Sequence, residues 1–296
     1  MIEVPSSVDT NTLADWAEAS CLFGTRASVS EYEVEDALDN SGVPDPDVAV
    51  SNIWQEIDLR YYTADAAYPL RSLSGRIQRT QEWNQNPGYA FQLLLACQSH
   101  YRVARTPRTY WRTTAKLFEQ VSTLALYQYL GGKAINSGVP REAPVPAGFG
   151  DCLAYLCQNL RETRSTTKLY TSKTKDDGVD VVAWRPFGDG RPGQVIILVQ
   201  CAAGADWRSK TREISIALWR EHIDWVTDPL KAFAFPFACT DEVLWRRLSK
   251  ETEGLLLDRL RIAAMFAAAG ASFSMIQTQL KEWCQQQLES LPWLSR

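Results

Sequence analysis

The chain has two histidines, His100 and His222, and no HExxH pattern, so a zinc centre is not expected. It lacks a phosphate-binding P-loop, a dinucleotide fingerprint and a nucleophile elbow, and is not expected to supply its own NTPase activity. Its seven cysteines are odd in number and none forms a CxxC pair. Most stand among apolar residues, which points to buried, reduced thiols in a cytoplasmic protein. The opening residues, MIEVPSSVDTNTLADW, have no basic segment followed by an apolar one, so a secretory signal is not expected. The longest apolar stretch near the end, IAAMFAAAGA, is too short to cross a bilayer, and no membrane partner is expected.

What is present suits a folded protein. At 296 residues with 45% hydrophobic and 22% charged side chains, the chain fits one large domain or two smaller ones, and eleven tryptophans imply a large aromatic core. The net charge of −4 conceals an asymmetry. Residues 1–65 hold fourteen acids against Arg26 and Arg60, whereas residues 66–140 hold nine basic residues against Glu82 and Glu119. This polarity points to a basic face for nucleic acid and an acidic face for a protein partner, the competing reading being unequal solvated faces. Within the basic part, YRVARTPRTYWRTTAK interleaves Arg102, Arg105, Arg108, Arg112 and Lys116 with Tyr101, Tyr110 and Trp111. Guanidinium groups grip phosphates in a bidentate fork and aromatic rings stack on bases, so this stretch is the expected DNA-contacting surface. A solvated helix and loop is the alternative.

The first 135 residues read mainly as helices. NTLADWAEASCLF has an Asn or Thr cap, SVSEYEVEDALDNSG pairs Ser30 with Glu33 as a capping box, and PGYAFQLLLACQSHY begins with Pro87 in its first turn. The glycine- and proline-rich GGKAINSGVPREAPVPAGFG reads as a linker or long ordered loop, and DCLAYLCQNLRE as one more helix. From about Thr167 the pattern changes. KLYTSK, VDVVAW, QVIILVQC and KAFAFPFAC read as strands, the last demoted toward an edge or a strand end by Pro236. DWRSKTREISIALWREHIDWV reads as an amphipathic helix capped by Asp206, and GLLLDRLRIAAMFAAAG as a strand turning into a helix at Asp258 or as one helix. The order predicts an α/β domain whose central sheet is covered by helices.

The turn chemistry of GDGRPG centres a hairpin on Gly190. Cross-strand partners then have numbers summing to 380, which sets Asp180 opposite Gln200 with Cβ atoms about 5 Å apart. A carboxylate beside an amide oxygen offers two hard ligands to magnesium. Lys210, in the first turn of the following helix, would place an ammonium near a phosphate or an attacking water. Metal, carboxylate and lysine together serve phosphodiester hydrolysis. Asp176 and Asp177 read as solvated turn residues, and His222 as a core histidine.

These residues carry a resemblance. DDGVDVVAW with Asp180, ILVQCA with Gln200 and KLFEQV with Glu119 on an upstream helix resemble the PD-(D/E)XK nuclease superfamily, in its Mrr-like, restriction-endonuclease-like branch, over roughly residues 115–260. The resemblance implies a restriction-endonuclease-like central mixed sheet flanked by helices. Residues 1–114 would then be a mostly α-helical N-terminal region for DNA or partner binding, and residues 115–296 the nuclease-like domain with C-terminal helices. It implies a Mg-dependent endonuclease (Mn being an alternative metal) that cuts DNA in a bacterial restriction or anti-phage system. Such a nuclease works beside a separate ATPase or sensor protein, and a homo-oligomer is compatible with it. Asp180, Gln200 and Glu119 would hold the metal, with Asp151 an alternative to Glu119. Where the family has its lysine, two residues after Gln200, this chain has Ala202, and Lys210 is the nearest replacement. A nuclease-like subunit without catalysis, binding a protein partner or nucleic acid, is the alternative function.

Overall fold

A computed structural model describes residues 1–101, 108–167, 171, 174–204, 206–268 and 273–290. The chain forms two compact units, one of residues 1–107, 236–242 and 258–296, the other of residues 108–235 and 243–257. The boundary expected at residue 115 falls at Arg108, and the C-terminal helices join the N-terminal residues instead of the α/β unit.

In the first unit, α1 (Thr10–Phe23) is followed by β1 (Ser28–Ser30), α2 (Glu31–Asn40) and α3 (Pro46–Ala64). A hairpin of β2 (Leu70–Leu73) and β3 (Arg76–Arg79) leads to α4 (Pro87–His100). The cap of α1 is Asp9, whose side chain accepts from the Thr12 N–H, two or three residues earlier than the Asn or Thr expected. The capping box of Ser30 and Glu33 is present, and Pro87 opens α4 behind an Asn86 cap. The three strands make a small sheet in the order β1-β3-β2, which the helical periodicity of this region hid.

Helix α1 is buried nearly all round and carries Asp15 and Glu18 into the core. Arg60 of α3 meets Asp15 at 2.6 Å, Glu18 at 2.8 Å and Glu56 at 2.6 Å, and Arg259 pairs with Asp15 as well. The hydroxyls of Tyr68 and Tyr89 donate to the two oxygens of Glu18. Buried charges survive only when paired and hydrogen-bonded; the network draws on five parts of the unit and meets that condition at Arg60, while Arg259 Nε and Nη1 have no hydrogen-bond partner among the described residues. Three of the fourteen acids of residues 1–65 are therefore internal, which shrinks the acidic face that the charge count implied.

The second unit is α/β. It runs α5 (Arg108–Leu130), β4 (Lys133–Asn136), α6 (Phe149–Leu160), β5 (Thr163–Arg164), β6 (Val181–Arg185) and β7 (Val195–Cys201). Then come α7 (Ile216–His222), β8 (Ile223–Asp224), β9 (Leu230–Ala234), α8 (Glu242–Thr252, whose first residue belongs to the other unit) and β10 (Leu255–Leu257). The strand–helix junction at Asp258 is borne out, since α9 (Arg259–Ala268) follows directly, and α10 (Ser274–Ser290) ends the described chain. The mixed five-stranded sheet has the order β10-β9-β7-β6-β4. Strands β7, β9 and β10 are parallel, and β4 and β6 antiparallel to their neighbours. Val182, Trp184, Ile196 and Leu198 face α6 and α7, packing with Leu153, Leu156 and Trp219. Alternation turns Val181, Ala183, Ile197 and Val199 the other way, and α5 lies against β4, β6 and β7.

Two sequence expectations change here, and a third, the strand end at Pro236, is borne out over its edge-strand alternative. The segment expected to be a linker contains β4, paired with β6 from Lys133↔Trp184 to Asn136↔Val181. Strand β9 is interior, between β10 and β7, and ends before Pro236, so the proline limits its length and not its place. The helix expected from Asp206 is instead a single 3-10 turn, Trp207–Lys210, separated from α7, which Ser215 caps. The reason is tertiary: Trp207 stacks on Phe235 at 4.6 Å and on Phe233 at 6.2 Å, which pins the turn to β9. KLYTSK lies mostly outside the described residues.

Candidate functional site

The site is built where β4 ends and β6 begins. The hairpin register is as expected, since all five pairs from Val181↔Val199 to Arg185↔Val195 sum to 380. Asp180 stands one residue outside this ladder. Its carbonyl accepts from Ser137 N at 2.7 Å and Gly138 N at 2.9 Å, and its own N–H goes to the Val199 carbonyl at 2.8 Å. Its Oδ2 accepts from the Cys201 N–H at 2.8 Å, and among the described residues Oδ1 has no hydrogen bond. The carboxylate thus closes the open end of the strand pair.

Glu119 arrives from α5. Both carboxylates border the space beside the Gly138 Cα: a Cβ built there would lie 2.6 Å from Glu119 Oε2 and 3.0 Å from Asp180 Oδ1. A side chain at 138 would occupy the ground the two acids share. Burial, then repulsion from Glu119, holds the Asp180 carboxyl well above the ordinary carboxylate range. Burial also raises Glu119, with Lys116 and the Asn136 amide acting in the opposite sense. Lys116 lies one helical turn before Glu119 and is itself buried. Its Nζ donates to Glu119 Oε2 at 3.2 Å, Asn136 Oδ1 at 2.6 Å and Gly138 O at 2.9 Å.

Around this centre the sequence candidates separate. Gln200 adjoins it through a shared backbone, its Nε2 donating to the Cys201 carbonyl at 3.3 Å while its buried Oε1 has no donor. Lys210 does not join. Among the described residues it makes no hydrogen bond or ion pair, and its charge acts to lower the Glu213 pKa. Asp151 is exposed in the first turn of α6, where it borders Gly148 and not Asp180. Ala202 is buried, with its N–H given to the Ala234 carbonyl of β9. Of the expected DNA contacts, Arg102 and Arg105 lie outside the described residues, as does the Arg108 side chain. Arg112 is exposed, and Lys116 is corrected from surface contact to buried site residue. Burial of Lys116 goes with its three contacts to Glu119 and to the Asn136–Gly138 end of β4.

Sequence reasoning also missed the support of the Asp180 loop. Asp176 Oδ1 accepts from Gly178 N at 3.2 Å, and Asp177 Oδ2 meets His222 Nε2 at 2.7 Å. Gly178, at φ +79°, packs so closely on Glu213 that a Cβ would sit 2.9 Å from its carbonyl oxygen. Asp176 and Asp177 are thus structured, and His222 is a core residue that fastens the loop to α7. The Cys201 thiol is pushed up by burial and by Asp180. None of the seven cysteines is in a disulfide.

Among the described residues no three His, Cys, Asp or Glu side chains are grouped to hold a metal ion, so the arrangement is a two-carboxylate pair. The donor chemistry nonetheless fits a hard divalent cation. Among the described residues Asp180 Oδ1 accepts no hydrogen bond and the buried Gln200 Oε1 has no donor, and two carboxylates border a cradle that a Cβ would fill. Among the described residues no helix is long and apolar enough to cross a membrane. Compared with known proteins, the chain matches no family model, no curated protein and no solved structure.

Proposed function

We propose that the chain is a magnesium-dependent endonuclease that hydrolyses DNA phosphodiester bonds. One observation carries the reading: Glu119 and Asp180, from a helix and a strand start, border one small space beside Gly138 with a buried lysine attached. Such a pair stays ionised in low-dielectric surroundings only where cations balance it, and Lys116 supplies one positive charge against two carboxylates. Asp180 and Glu119 would hold the ion, with Gln200 Oε1, at the end of β7, the proposed further oxygen ligand. Bound magnesium would supply Lewis acidity at a phosphoryl oxygen and a more acidic water. The chain's own part is to fix the two carboxylates and to offer arginines such as Arg112 to the backbone phosphates. The mixed sheet with its upstream helix is compatible with a restriction-endonuclease-like fold. A role in bacterial restriction or anti-phage defence, beside a separate ATPase or sensor, completes the proposal by resemblance.

A second reading, a nuclease-like subunit without catalysis, draws on Ala202, which is 2% exposed where the family's lysine would stand. Supercoiled plasmid incubated with the full chain and Mg²⁺ or Mn²⁺ separates the two. Nicking that EDTA and Asp180→Ala both abolish is the expected result. Equal nicking by Asp180→Ala would remove the site, and no nicking with either metal would favour the binding subunit.

A further inference from the structure

We propose that Lys116 is the working cation of this site, a positioning residue that replaces the lysine its second strand lacks. The inference rests on the nuclease reading and names a residue that the strand pattern could not supply. Neither alternative is placed to do the work. Ala202 is buried against β9, and Lys210 ends a turn that Trp207 pins to Phe235, with its charge directed at Glu213.

The geometry of Lys116 is fully specified. An ammonium has three N–H donors, and here three oxygens stand at 2.6–3.2 Å from Nζ. They come from two elements, Glu119 on α5 and the Asn136–Gly138 end of β4. That strand end is in turn bonded to Asp180, whose carbonyl accepts from both Ser137 and Gly138. One chain of hydrogen bonds therefore runs from the helix through the β4 end to the β6 start, and Lys116 is its link to the helix. A surface lysine loses rotamer freedom without return when held this way, and a buried one is tolerated only where its charge is matched. Lys116 holds the Glu119 carboxylate toward the space beside Gly138. With one ammonium against two carboxylates, the ionised pair keeps a negative charge for a divalent ion.

The test compares wild type, Lys116→Met, Lys116→Arg and Lys210→Met as full chains. Mn²⁺ affinity is measured without DNA by electron paramagnetic resonance, beside plasmid nicking and thermal melting. Removing a positive charge near a cation site should, by charge alone, tighten Mn²⁺ binding. If Lys116 positions Glu119, Lys116→Met instead weakens it, by about tenfold or more as for other groups that orient metal ligands, and nicking falls at least in parallel. Lys116→Arg, which keeps charge and donors, recovers part of both and covers the case in which the methionine variant does not fold. Lys210→Met leaves Mn²⁺ affinity unchanged. Unchanged or tighter Mn²⁺ binding by Lys116→Met, or loss with Lys210→Met alone, overturns the assignment while the nuclease reading stands. Wild-type chain that neither binds Mn²⁺ nor nicks DNA removes the nuclease reading itself, and this proposal with it.

Discussion

Glu119 Oε2 and Asp180 Oδ1 approach one another across the bare Cα of Gly138, and a methyl group there would lie within 3.0 Å of both. Gly138→Ala is therefore a steric probe of the pair. The nearest atom belongs to the end of a flexible glutamate side chain, so the fold can yield by turning Glu119 away. We expect the variant to melt cooperatively with a loss of roughly 1 kcal/mol, within the range for overpacking. Mn²⁺ affinity should fall by about tenfold or more, as for other changes that disturb ligand orientation. Calorimetry and chemical denaturation on the same preparation check both, and an unaltered Mn²⁺ affinity would show that the pair does not bind metal.

Asp180 makes the fold sensitive to pH. Burial and Glu119 raise its folded pKa, so the native state keeps a proton that the unfolded chain releases above the ordinary carboxylate range. Stability is therefore lost as the pH rises out of that range toward the folded value. Asp180→Asn retains an oxygen for the Cys201 N–H and has no charge to desolvate. In EDTA its melting midpoint should exceed that of wild type at pH 8, and the gain should vanish below the ordinary carboxylate range. A midpoint lowered at pH 8 would mean that the aspartate is not a destabilising group.

Arg60 is the counter-ion of three buried acids. Arg60→Met would leave Asp15, Glu18 and Glu56 with Arg259 as the remaining buried arginine beside them. Removing one partner of a buried ion network costs about 3–5 kcal/mol. Urea unfolding should show a loss of this size, and one below about 1 kcal/mol, the range of exposed pairs, would mean that solvent reaches the cluster.

Arg112 is exposed at the start of the helix that carries the site. If this helix faces DNA, Arg112→Ala should weaken binding similarly across sequences and reduce the slope of log affinity against log salt by about one. Fluorescence anisotropy over a salt series measures it. An unchanged slope would place Arg112 away from the phosphates.

How far the sequence could be read depends on the range of the interaction involved. The capping box of Ser30 and Glu33 and the register of β6 with β7 were legible, because both are set by residues close along the chain: a cap spans one turn, and a tight turn at Gly190 dictates its strand partners. The pairing of Glu119 with the start of β6 was reached by resemblance, and no local spacing contained it. Strand β4 was hidden among glycines and prolines because its evidence is the partner strand and not its own composition.

Lys116 shows the limit most clearly. In sequence it ends a run of arginines and aromatics and reads as one more surface cation. Burial against the sheet and three oxygens from α5 and the β4 end make it an internal one. Lys210 moved in the opposite sense, because the stacking of Trp207 on β9 replaced an expected helix with a short turn. The sequence alone thus determined the Ser30–Glu33 cap, the start of α4 at Pro87 and the hairpin register, all governed by local sterics and hydrogen bonding. Tertiary structure alone decided which lysine meets the carboxylates, because burial and charge pairing depend on neighbours brought from distant parts of the chain.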